Sequence, residues 1–319
     1  MTPPARRRTW RDRLAGTKLE AQLGGVQLRA LQRTVAFAAG IEARTTPDGI
    51  AYAVRAGKRG LPLACMHGFG GDKETWLMLS ALIPRARGIV MVDLPGHGAS
   101  ADIPEEAASI RHHAEAVLRA LDHAGVDRAV MCGNSMGGGV ALRLAASYPD
   151  RVAALVLVAS IGRDIHAGPA RGWIGGENPL IPREADVDRF MAIALERPPP
   201  VGRAVIRHVI VERARRADRL HKLFRGFVLA DGDQGVPRDI THIDRPVLVL
   251  HGEQDRIIDK RVAEDLVEVL PRAELVVMRG VGHAPQLEAP RYTAGIIEAF
   301  ASRVEHEDRR PHKERRRRR

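Results

Sequence analysis

The chain has 319 residues, 45% apolar, 28% charged and only 4% aromatic, a length and mix that suit one α/β core of Ala, Val, Leu and Ile and exclude a fibrous or low-complexity chain. Its formal charge of +11 is terminal: residues 1–20 hold six cations against two acids, residues 309–319 hold eight against one, and the body between them balances at 36 of each sign. A neutral body offers a polyanion no platform, which argues against nucleic acid binding by the fold and leaves the ends for peripheral contact with an anionic membrane.

Residues 1–40 read as a basic arm with one amphipathic helix, because Leu23, Val26, Leu28, Leu31 and Val35 recur at partly helical spacing. No stretch reaches the roughly 20 apolar residues that cross a bilayer, and Arg6-Arg7-Arg8 does not lead into an apolar signal core, so the expected location is cytoplasmic. From Ile41 the pattern becomes strand, turn, strand, with Thr46-Pro47-Asp48-Gly49 as the turn. Short runs of consecutive apolar residues then begin near Leu61, Gly88, Ala129, Val152, Pro246 and Ala273. Such runs suit strands buried on both faces of a parallel sheet. Helical patterns fall between them, near residues 74–83, 109–124, 136–147, 261–270 and 290–304. The fold class is therefore α/β, a mostly parallel central sheet with helices on both faces.

The alternation breaks between about residues 161 and 244, where three helical patterns (185–196, 201–216 and 217–230) follow a Gly- and Pro-rich start. A block that long is no connecting loop, and it reads as a helical cap inserted into a domain spanning residues 41–305. The Arg-rich end, residues 306–319, repels itself and is expected to be disordered. Cys65 and Cys132 lie in apolar strand runs, as small buried hydrophobes do.

Gly133-Asn134-Ser135-Met136-Gly137 joins a strand to a helix. Glycines two before and two after the serine let strand and helix approach while the serine takes a strained conformation that exposes its hydroxyl as a nucleophile. A serine needs a base to take its proton. Of 13 histidines, His283 alone follows the last strand in a short glycine-flanked loop, whereas His112, His113, His208 and His221 lie on helical patterns and His251 closes a strand. A carboxylate must hold the imidazole in one tautomer, and Asp255, four residues past the strand-closing His251, is the best candidate, with Glu253, Asp259 and Asp164 as competitors. Oxyanion donors are expected from the backbone N–H groups of Met136, after the nucleophile, and Phe69, in His67-Gly68-Phe69-Gly70-Gly71.

These motifs, with Asp93-Leu94-Pro95-Gly96-His97-Gly98 and Gly176-Glu177-Asn178-Pro179-Leu180-Ile181, resemble the α/β-hydrolase superfamily, and within it bacterial lipases and membrane-associated monoacylglycerol lipase. The resemblance implies the α/β-hydrolase fold, a lipid ester substrate, Ser135, Asp255 and His283 as the catalytic triad, and neither cofactor nor metal. Phe190, Met191, Ile193, Phe224 and Phe227 of the cap are candidates to line an acyl channel, although packing of cap on sheet explains them equally well. Carbon–carbon hydrolases of aromatic ring-fission products share Gly-Asn-Ser-Met-Gly-Gly but usually carry tryptophan after the histidine, where this chain has Ala284.

Overall fold

A computed structural model describes residues 18–163, 178–181, 187–197, 201–230 and 234–309. Asp164, Gly176, Glu177 and the Arg-rich end from residue 310 lie outside the described residues. The elements run α1 (Lys18–Ala39), β1 (Glu42–Thr45), β2 (Ala51–Arg55), β3 (Leu63–Met66), a 3-10 turn (Lys73–Trp76), α2 (Leu77–Leu82), β4 (Ile89–Val92), α3 (Ile110–His123), β5 (Ala129–Asn134), α4 (Met136–Ser147) and β6 (Val152–Val158). There follow α5 (Val187–Ala194), α6 (Arg203–Arg215), α7 (Ala217–Leu229), β7 (Val247–Gly252), α8 (Lys260–Val269), β8 (Ala273–Met278), α9 (Pro285–Glu288) and α10 (Pro290–Asp308).

The eight strands form one sheet in the order β1-β2-β4-β3-β5-β6-β7-β8. Pairings β1–β2 and β2–β4 are antiparallel, and all others are parallel. In β4, Val90 and Val92 enter one core while Ile89 and Met91 enter the other on the opposite face. That is why the strands read as unbroken apolar runs: each side of the pleat is dry. Each such side chain contributes about 1.5–3 kcal/mol by leaving water. Cys65 and Cys132 stand opposite each other in the β3–β5 register, both buried and both free thiols.

Turn chemistry sets the first hairpin, where Gly49 takes φ +87° and its N–H donates to the Thr46 carbonyl. Caps delimit helices: the Ser109 side chain accepts from the His112 N–H to start α3, and the Asp259 side chain from the Arg261 N–H to start α8. Between β6 and β7 the described residues carry three helices, α5, α6 and α7. Helix α1 packs along α6, and its Gly24-Gly25 pair explains the fit. A β-carbon on Gly24 would overlap the Ala204 carbonyl, and one on Gly25 would crowd the His208 ring. Its outer side leaves Leu23, Val26 and Phe37 exposed, Phe37 at 89%. Among the described residues no helix is long and apolar enough to cross a membrane.

Candidate active site

Ser135 sits where β5 ends and α4 begins, with φ 54° and ψ −117°. A non-glycine residue held there costs of order 1–3 kcal/mol, so the surroundings must impose it. They do. The Ser135 N–H donates to the Val158 carbonyl at 2.9 Å, and its own carbonyl accepts from the Gly138 and Ile161 N–H groups. The flanking glycines are obligatory: a β-carbon on Gly133 would overlap the Gly137 carbonyl, and one on Gly137 the Met66 carbonyl. Met136 opens α4, and first-turn N–H groups have no acceptor within their own helix.

The His283 loop follows β8. Its Nδ1 lies 2.8 Å from Asp255 Oδ2, and the carboxylate, which only accepts, makes Nδ1 the protonated nitrogen. Nε2 is left as the basic lone pair. Asp255 Oδ1 in turn accepts from the Ile257 and Ile258 N–H groups at 2.8 and 3.0 Å. Burial acts most strongly on this carboxyl and pushes its pKa up, but His283 and the two backbone donors outweigh it and hold the group below its ordinary value. Two of the competitors are occupied elsewhere: Asp259 caps α8, and Glu253 accepts from the Gln254 side chain. His251 donates from Nε2 to the Ile258 carbonyl at 3.1 Å and so braces the acid loop.

Ser135 and the His283 loop are joined by Asn134, whose Nδ2 donates to the Val158 carbonyl at 3.1 Å and to the His283 carbonyl at 3.2 Å. Glu288, on α9, supports the same loop from the other side. Its carboxylate accepts the N–H groups of Gly282 and Ala284, which flank His283, and those of Glu196 and Arg197 just past α5.

The loop after β3 faces the serine. A β-carbon on Gly68 would stand 3.2 Å from Ser135 Cβ, a tight contact that glycine relieves where this backbone approaches the serine. His67 aims it. Its Nε2 accepts the Leu94 N–H at 3.0 Å, which leaves the proton on Nδ1 to be donated to the Gly68 carbonyl at 2.8 Å. The Gly71 N–H donates to the same carbonyl. With that oxygen held on one side, the trans peptide turns the Phe69 N–H to the opposite side. Burial lowers the His67 pKa, keeping the ring neutral for this arrangement.

Cap aromatics close over the loop. Phe69 packs on Phe224 and Phe227, with centroids 5.1 and 6.4 Å away, and both rings are buried at 3% and 4% exposure. Phe224 and Phe227 thus join cap to core. Phe190 lies under the Arg213 guanidinium at 5.1 Å, while Met191 and Ile193 are half-buried on α5. A cleft of about 490 Å³ opens on the far side of the loop, lined in part by Gly70, Gly71, His208 and Arg213; neither Ser135 nor His283 borders it. Among the described residues no group of three or more His, Cys, Asp or Glu side chains is arranged to hold a metal ion.

A family model described as "Alpha/beta hydrolase family" matches residues 63–296, and the chain belongs to that family. It is a hydrolase. Among curated relatives, lipase 1 of Psychrobacter immobilis is 30% identical over 81% of this chain and 82% of its own length. The dihydrolipoyllysine-residue acetyltransferase component of the acetoin cleaving system of Pseudomonas putida is 33% identical over 76% of this chain, which spans only 64% of that relative. The 2-hydroxymuconate semialdehyde hydrolase of Pseudomonas sp. (strain CF600) is 28% identical over 77% of this chain and 88% of its own length. A crystal structure of a membrane phospholipase A superposes with a TM-score of 0.76 at 27% identity, covering 90% of this chain and 92% of that one.

Proposed function

We propose that the protein hydrolyses carboxylic esters, lipid or monoacylglycerol-like ones in particular, through an acyl-enzyme on Ser135. The observation that carries the reading is the 2.8 Å pair of His283 Nδ1 with Asp255, on a loop hydrogen-bonded to the residue before the strained serine. His283 Nε2 takes the Ser135 proton as Oγ attacks the ester carbonyl carbon. The oxyanion forms beside the Phe69 and Met136 N–H groups, and preorganised donors of this kind each contribute roughly a hundred- to a thousandfold in rate. His283 then returns the proton to the departing alcohol. Water repeats the sequence on the acyl-enzyme and restores the serine, while Asp255 stabilises the transient imidazolium.

A second reading, hydrolysis of carbon–carbon bonds in ring-fission products, is favoured by the Gly-Asn-Ser-Met-Gly-Gly turn and opposed by Ala284 after the histidine. For lipid substrates we further propose peripheral contact with anionic membranes through the basic ends. The exposed outer side of α1, with Leu23, Val26 and Phe37, supports this.

Hydrolysis rates across esters of rising chain length, monoacylglycerols included, beside a ring-fission dienoate, test the substrate class. Esters are expected to turn over, and Ser135→Ala to lower kcat by about five to six orders of magnitude. Turnover of the dienoate alone would select the second reading.

A further inference from the structure

Arg213 occupies an unusual place for a cation. It lies on α6, and its guanidinium donates to three backbone carbonyls. Nε donates to Leu180 at 2.7 Å, Nη1 to Gly70 at 3.1 Å and Nη2 to Phe69 at 2.8 Å. The Phe190 ring stacks beneath it. Among the described residues no carboxylate forms an ion pair with it, and burial lowers its pKa to about 10, which leaves it charged at neutral pH. Asp72 stabilises the charge only through space, and a half-buried cation is expensive unless its hydrogen bonds do something neutral packing cannot.

Those bonds connect two separate pieces of chain. Leu180 and Phe190 lie between β6 and α6, on the cap side, while Phe69 and Gly70 form the loop that faces Ser135. The Gly68 carbonyl is already held by His67 and Gly71, so Arg213 completes a set of three consecutive carbonyls with fixed donors. Fixing both the peptide that carries the Phe69 N–H and the one after it fixes the direction of that N–H. Gly70 is shaped to admit the latch: it takes φ +68°, and a β-carbon there would overlap Nη2.

We propose that Arg213 is a positioning residue that ties the cap to the His67–Gly71 loop and sets the direction of the Phe69 N–H, so that hydrolysis runs at full rate only with the cap seated. The proposal rests on the esterase reading above. A planar fork reaches carbonyls on two segments at once, whereas the single ammonium of a lysine does not.

The test compares wild type, Arg213→Met and Arg213→Lys as full chains, with active serines counted by a fluorophosphonate. Arg213→Met is expected to lower kcat for 4-nitrophenyl butyrate roughly 10- to 100-fold, part of the loss that follows removal of a whole donor. KM should stay within about threefold, because ground-state binding does not use the oxyanion donors. Affinity for an alkyl boronic acid, which places a tetrahedral oxygen where the oxyanion forms, should fall by a similar factor. Arg213→Lys should recover little of either loss, and it serves alone if Arg213→Met does not fold. A kcat per labelled serine within about twofold of wild type in either variant overturns the proposal. So does a loss that disappears on cooling in step with the melting curve. Wild type that neither labels nor turns over ester removes the esterase reading and the proposal with it.

Discussion

The turn that presents Ser135 and the loops that face it are built on opposite plans. The turn is shaped by consecutive residues: β5 ends, Ser135 takes its strained φ, α4 begins, and Gly133 and Gly137 supply the clearance. Each facing loop instead combines a near support with a side chain from far away in sequence. His283 is bracketed by nearby Glu288 and oriented by distant Asp255, and the Phe69 peptide is held by nearby His67 and distant Arg213. Under the proposed reading the shape of the nucleophile turn is therefore written locally in the chain, while the base and the oxyanion donor are only as well placed as these distant side chains keep them.

If that division is right, damage to the distributed side should reduce rate without removing the nucleophile. The largest effect is expected at Asp255. Asp255→Asn leaves a neutral amide against Nδ1, loses the correct tautomer, and should lower kcat by about four orders of magnitude with the circular dichroism spectrum unchanged. Near-normal turnover would move the acid role to another carboxylate. A smaller loss is expected at Glu288, where Gln replaces a four-donor acceptor by a group with a single acceptor oxygen. Glu288→Gln should cost about 2 kcal/mol in a urea titration and roughly tenfold in kcat, since both N–H groups beside His283 lose part of their support. Unchanged kcat would show the His283 loop to be self-supporting after all.

The smallest effect on rate concerns the buried histidines behind the Phe69 loop, whose titration is read in stability instead. His67, His97 and His113 stand in a row, with ring centroids 5.3 and 6.1 Å apart. Burial lowers all three pKa values, that of His113 to about 3. The unfolded chain binds these protons near pH 6.5 and the folded one does not, so stability is complete above that pH and falls as pH drops toward 3. Each histidine adds a slope of up to about 1.4 kcal/mol per pH unit in that window. Urea midpoints measured from pH 7 to 4 should decline, and His113→Asn should flatten the decline; an unchanged slope would mean that His113 is charged in the fold.

The same division explains what was legible in the sequence. Strands buried on both faces announce themselves as apolar runs, so β5 through β8 fall within one or two residues of the runs at Ala129, Val152, Pro246 and Ala273. The serine turn is readable because its glycines are adjacent to it. Arg213 was only one of many cations on a helical pattern, and nothing nearby in the chain marks its carbonyl partners, which lie up to 144 residues away. Glu288 was hidden for a related reason: α9 spans just four residues, too short to show periodicity. Phe224 and Phe227 fit either a channel or packing on sequence grounds, since an apolar ring looks the same in both; their partner Phe69 could be found only in the fold.

The central claim is that Ser135 is the nucleophile, and a covalent trap tests it most directly. Treatment with an alkyl fluorophosphonate followed by peptide mass mapping should find one adduct, on Ser135, absent from Ser135→Ala. An adduct on another residue, or equal labelling of Ser135→Ala, would contradict the account.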